Sequence, residues 1–141
     1  MTRKASLWLV AAAVLFFTGP LSAHHSISAE FDTNKPVKFT GKVTKVEWMN
    51  PHIYTHVEAV DPDTGKTVVF KVEGGPPNSL YRQGWRKDTV KVGDAVSVSG
   101  VRAKIPTSTN IGVATITTSD GKRIYGSAGQ TGARGEGVSQ K

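Results

Sequence analysis

The 141-residue sequence predicts an all-β domain interrupted by one short helix. Three observations predict it. Apolar residues recur at every second position in a series of short runs, the period of a strand with one buried face. Clusters of Gly, Pro, Asn and Asp separate the runs, each residue type favouring a turn for its own steric reason. A helical signal appears in one place only, between the third and fourth runs.

The first run is Val37, Phe39, Gly41 and Val43, after which the parity changes to Val46 and Trp48. A change of one residue implies a β-bulge near Thr44-Lys45. Gly41 inside this run permits the bend that a closed sheet requires. Asn50-Pro51 ends the run. A second strand follows, with Ile53, Thr55, Val57 and Ala59 on one face and His52, Tyr54, His56 and Glu58 on the other. Asp61-Pro62-Asp63-Thr64-Gly65 reads as a hairpin turn, and Val68, Phe70 and Val72 as a third strand. Gly74-Gly75-Pro76-Pro77 stops it. Asn78 is suited to cap a helix over 79–83, with Gly84 beyond its end. Val90 and Val92 lead to a turn at Gly93-Asp94, and Val96 and Val98 begin a fourth strand with Gly100 as a second bend. Residues 111–118 form a fifth. After the tight turn Ser119-Asp120-Gly121-Lys122, Arg123-Ile124-Tyr125 adds a last short strand. Three strands, a short helix, then two strands suit a five-stranded Greek-key barrel of the OB type. A small β-sandwich is the second arrangement compatible with the pattern.

The segments outside this domain read differently. Arg3 and Lys4, the apolar run from Leu7 to Phe17 and the small residues ending at Ala23 have the three parts of a secretory signal peptide, residues 1–23. The apolar run is shorter than the roughly 20 residues of a membrane span. Residues 24–35 read as an extended arm and residues 36–125 as the domain. Residues 126–141 are rich in Gly and Ser, too poor in apolar side chains to offset the entropy of ordering, and are expected to be disordered. The chain has no Cys, so it uses no disulfides. These features predict export to a bacterial periplasm or beyond, with no membrane association once the leader is removed.

The net formal charge is +7, two units of which sit at Arg3 and Lys4. The remaining cations are scattered apart from a local group at Arg82, Arg86 and Lys87. That spread does not suit nucleic-acid binding. No nucleophile–base–carboxylate spacing and no phosphate loop is present, so the sequence predicts a protein without catalytic activity.

The candidate ligands for a metal are the four histidines, His24, His25, His52 and His56. On a strand, positions 52 and 56 are about 13 Å apart, whereas two nitrogens on one ion each lie about 2 Å from it. That pair is therefore excluded as a chelate. Cleavage after Ala23 would leave His24 with a free α-amino group beside its imidazole, and a third nitrogen from His52 or His25 completes a site suited to copper(II). Trp48, Tyr54 and Trp85 are candidates for a ligand groove, since such barrels stack ligands on exposed aromatics. Arg82 and Arg86, beside the start of the helix, are candidates for holding an anion. The alternative for each is structural: a His shaping its turn, aromatics plugging the barrel ends, and a solvated basic edge.

The stretches Ala23-His24-His25-Ser26, Glu30-Phe31-Asp32, Trp48-Met49-Asn50-Pro51-His52, Pro77-Asn78-Ser79-Leu80 through Gly84-Trp85, and Gly93-Asp94-Ala95-Val96-Ser97-Val98 resemble a family of small exported bacterial proteins known only as a domain of unknown function. The resemblance implies a single exported β-barrel-like domain. It places His24, His25 and His52 inside the motifs and His56 outside them. The function expected from the sequence is a periplasmic binding or accessory protein for a small molecule, a glycan or a protein partner, or alternatively a copper-binding protein.

Overall fold

The computed structural model describes residues 27–125. The predicted leader, His24, His25 and the Gly/Ser-rich segment beyond Tyr125 lie outside the described residues. A single helical turn, α1 (Ile27–Glu30), precedes the strands β1 (Phe31–Trp48), β2 (Ile53–Val60) and β3 (Thr67–Glu73). The helix α2 (Pro77–Arg82) follows, and then β4 (Ala95–Ala103), β5 (Asn110–Thr118) and β6 (Arg123–Tyr125). The fold is all-β, as its sequence pattern predicts.

β1 is 18 residues long and pairs on both of its edges. Its later half, Gly41 to Trp48, runs antiparallel to β2, and the stretch from Phe31 to Lys42 runs antiparallel to β4. The expected bulge is present, because the register on β2 jumps between Val43 and Lys45. Thr44 is the extra residue, and its hydroxyl donates to the carbonyl of His56 at 3.3 Å. The bulge turns Val46 and Trp48 toward the interior, where both pack on the core. The strand starts earlier than the alternation around Val37 indicates. Phe31 is 3% exposed, and its ring fills the space that a side chain at Gly112 would need, 2.6 Å from the Cβ position there. Part of the expected arm is therefore strand.

The β2–β3 hairpin closes through Asp61 N–H to the Lys66 carbonyl at 2.8 Å, with Gly65 at φ 70°. The helix starts two residues before the expected position and ends one before it. Pro76 occupies the N-cap position and Pro77 opens the helix, while Asn78 lies inside it and makes no capping bond. The fixed φ of proline and its missing N–H suit the first helical position, so Pro77 displaces the polar cap. Gly84 at φ 90° stops the helix as expected.

The pairings β1–β2, β2–β3, β4–β5 and β1–β4 are antiparallel, and a short parallel contact joins β3 to β5 at Lys71–Asn110 and Val72–Ile111. Five strands thus close a ring, and β6 adds to the edge of β5. β5 leaves β3 after Ile111 and meets β6 from Thr115. Val113 lies between those contacts at φ 49°. Inside the ring, Phe39 and Phe70 stack with centroids 4.2 Å apart, surrounded by Val43, Val57, Val72, Val98 and Ile111. Each such side chain contributes about 1.5–3 kcal/mol on burial. Leu80 and Trp85 join the same core, beside Ile53, Ala114 and Ile116. Outside the core, Arg102 on β4 donates to Asp61 at 2.5 Å and lies 2.8 Å from Asp63, pinning the β2–β3 turn to the far side of the ring. Among the described residues, no helix is long and apolar enough to cross a membrane.

Candidate functional site

The polar residues of chemical interest gather on the outer face of β1, β2 and β3, beside the connection that carries the cis Asn50–Pro51 bond. The alternation of β2 buries Ile53, Thr55, Val57 and Ala59 and turns His52, Tyr54, His56 and Glu58 outward. Register brings the outward residues of the neighbouring strands alongside. Tyr54 stands between Glu47 and Glu73, and His56 stands between Lys45 and Lys71.

His52 is fixed from one side. Ile53 and Gly74 are clipped together, with Gly74 N–H donating to Ile53 O at 2.7 Å and Ile53 N–H donating to Gly75 O at 3.2 Å. This brings the Gly74 carbonyl to 3.1 Å from His52 Nδ1, with Glu73 Oε1 at 3.3 Å from the same nitrogen. A carbonyl only accepts, so Nδ1 carries the proton in this bond and Nε2 of the neutral ring keeps a lone pair. The side chain is 37% exposed.

The surrounding charges are asymmetric. Burial pushes the Glu73 carboxyl above its usual range, and the nearby charge of Glu30 adds to this, against the opposing pull of His52 and Lys71. The Tyr54 hydroxyl is raised by burial and by Glu73, Glu30 and Glu47. Lys71 Nζ sits 4.0 Å from the centre of the Tyr54 ring. Glu47 is held below the usual carboxylate range first by the hydrogen bond from Lys45 and then by His56, whose Nε2 lies 3.3 Å from its carboxylate. The Glu30 carboxylate at the end of α1 thus adds negative charge felt by both Tyr54 and Glu73. α1 is tied to the segment after β4 by Lys104, whose N–H donates to the Glu30 carbonyl at 2.9 Å and whose Nζ reaches the Ser28 carbonyl at 2.5 Å.

The sequence-predicted residues separate into groups. His52 and His56 stand on one face but do not converge; each faces its own glutamate, with Tyr54 between them. His24 and His25 lie outside the described residues. Among the described residues, no group of three or more metal-ligating side chains converges. The aromatic groove is not assembled. Trp85 is 3% exposed in the core, Trp48 packs on it with ring centres 6.3 Å apart, and Tyr54 points the other way, to the outer face. The bulge that turns Trp48 inward is the cause. Arg82 and Arg86 lie at the C-terminal end of α2 and just beyond it, not at its N-terminus. Glu30, Glu47, Lys71 and Glu73 were not singled out by the sequence. Their outward parity is legible along each strand, but the register that sets them beside Tyr54 and His56 is not.

Searches of curated proteins and of solved structures each return no match. The model of one protein family, described as a family of unknown function, DUF6152, matches residues 12–112. That span runs from the apolar segment ahead of His24 through β1, β2, β3, α2 and β4 into β5, and so contains the whole outer face around His52. The chain belongs to the family of unknown function DUF6152.

Proposed function

We propose that this is an exported, non-catalytic binding protein whose ring of strands is an OB-like Greek-key barrel, and that it binds a copper ion through His24 at the mature N-terminus and His52. The order β1–β2–β3–β5–β4, closed by the parallel β3–β5 contact and with α2 between β3 and β4, supports the barrel reading. The observation that carries the metal reading is the anchoring of His52 through Nδ1, with Nε2 left as a donor. Histidines that bind metals are held in this way, by a hydrogen bond from the second ring nitrogen to a carbonyl or carboxylate. The arm supports the same reading. Three residue steps join His24 to Ile27 at the start of α1, a reach of about 10 Å in extended chain, and the charge of Glu30 at the other end of α1 is felt at Glu73, the carboxylate beside His52. His25 is the alternative third nitrogen.

The test is copper(II) titration of protein beginning at His24, of the same protein with one extra N-terminal residue, and of His52→Ala. One-to-one binding that both changes weaken by orders of magnitude is expected. Equal binding by the native and extended forms removes the site. A second reading, a small molecule or glycan, is favoured by a shallow depression on the outer face of β1, β4 and β5, lined by Lys38, Ser99, Gly100, Val113 and Thr115. Amide shifts confined to those residues on titration with oligosaccharides would support it.

A further inference from the structure

Beside α2, one cation stacks on an exposed aromatic ring and three more lie on the adjoining chain. Tyr81 is 52% exposed, and the Arg86 guanidinium lies over it, 4.0 Å from the ring centre. Arg86 Nη1 donates to the carbonyls of Tyr81 at 3.0 Å and Trp85 at 2.7 Å. The guanidinium is thus held by one nitrogen and one face, and among the described residues no carboxylate pairs with it. Arg82 and Lys87 flank it in the chain, both exposed. Lys122 comes from the β5–β6 turn, its Nζ 3.4 Å from the Gly84 carbonyl. Asp88 and Asp120 are the neighbouring acids in sequence, and the Asp120 carboxylate is engaged by the Thr118 hydroxyl.

We propose that the Tyr81–Arg86 stack, with Arg82, Lys87 and Lys122 around it, is a docking surface for an acidic protein segment. The argument rests on rigidity together with charge. A planar guanidinium already ordered by stacking and by two backbone carbonyls loses little freedom when its remaining N–H edge receives a carboxylate. Tyrosine and arginine in this combination are enriched where protein interfaces concentrate their binding energy. A diffuse anionic surface needs the charges but not the stack. The proposal is independent of the copper reading, because it uses none of the same residues.

The test uses the full chain without its leader, followed by amide NMR during titration with a capped hexapeptide of alternating Glu and Asp and with its Gln/Asn counterpart. Shifts centred on Tyr81, Arg86 and Lys122 with the acidic peptide alone are expected. Arg86→Lys keeps the charge and loses the stacked fork, and is expected to weaken binding about tenfold. Tyr81→Ala, at an exposed position, frees the guanidinium and is expected to weaken binding in the same direction. If both variants bind as tightly as the native chain, the surface is only a diffuse cationic edge and the proposal is overturned. Binding to phosphatidylglycerol vesicles without binding to the acidic peptide overturns it equally, in favour of a lipid surface.

Discussion

Replacing Gly41 by alanine tests the closure of the ring at its tightest point. Gly41 pairs with Ala59 on one side and with Val96 on the other, where β1 passes from one partner strand to the next. A Cβ at this position would lie 2.3 Å from the Glu58 carbonyl oxygen, 2.8 Å from Ala59 Cβ and 2.8 Å from Val57 Cγ1. The first of these is backbone, so no rotamer change removes it. Restoring ordinary contact requires β1 and β2 to separate by roughly 1 Å, about a fifth of the normal interstrand spacing. Overpacking of this kind costs about 1–3 kcal/mol, and each ladder hydrogen bond lost adds about 1 kcal/mol. We expect a loss of about 3 kcal/mol, which lowers Tm by roughly 12–24 °C for a domain of this size. Thermal melts followed by circular dichroism, together with urea midpoints, measure it. Gly65→Ala is the control. Gly65 has φ 70° with nothing within 4 Å of its Cβ position, so its cost is left-handed strain alone, about 1 kcal/mol. Adding Ala59→Gly to Gly41→Ala removes one of the three close contacts and leaves the carbonyl, so rescue should be partial. A Gly41→Ala protein that melts at or above Gly65→Ala refutes the reasoning.

Two acids should respond to pH in opposite senses. Burial raises Asp61, but the Asp63 N–H and the Arg102 guanidinium outweigh it and hold its carboxyl below the usual range. The stability it contributes is therefore present above the unfolded pKa of about 3.9 and lost as pH falls through the lower folded value. Asp61→Asn should cost about 1–3 kcal/mol at pH 7, and the gap from the native chain in urea midpoint should close with acidification; a gap independent of pH would falsify the ion-pair account. Glu73 is raised by burial, so its ionised form weakens the native state once pH exceeds the ordinary value of 4.5. Glu73→Gln should raise the urea midpoint at pH 7 and leave it unchanged below that range, and a loss of stability at pH 7 would show that its contact with His52 outweighs burial.

The strand pattern was legible in this sequence because each strand has one buried face. Val37, Phe39 and Val43, then Ile53 to Ala59, then Val68 to Val72 alternate with the period of the pleat, and the change of parity at Thr44-Lys45 is enough to locate the bulge. The exclusion of a His52–His56 chelate also followed from strand spacing alone. Helix α2 was legible in position but not in its boundary, since a proline at the first turn outranked the asparagine as start signal.

Local periodicity says which face a residue takes; only the tertiary structure decides what lies across from it. The closure of β3 on β5 depends on two residue pairs, Lys71–Asn110 and Val72–Ile111, far apart in the chain. The Arg102–Asp61 pair spans 41 positions, and the meeting of Lys122 with the α2 end spans 38. Trp48 was drawn into the core by a bulge whose consequence for an aromatic groove became visible only once Tyr54 was seen on the opposite face. The same holds for His52. The sequence by itself singled it out as a nitrogen ligand beside a turn, but the carbonyl that orients its ring comes from Gly74, 22 residues away. Side-chain direction is set by the local φ/ψ of one strand, whereas hydrogen-bond partners and burial are set by register between strands, and register is a property of the closed sheet.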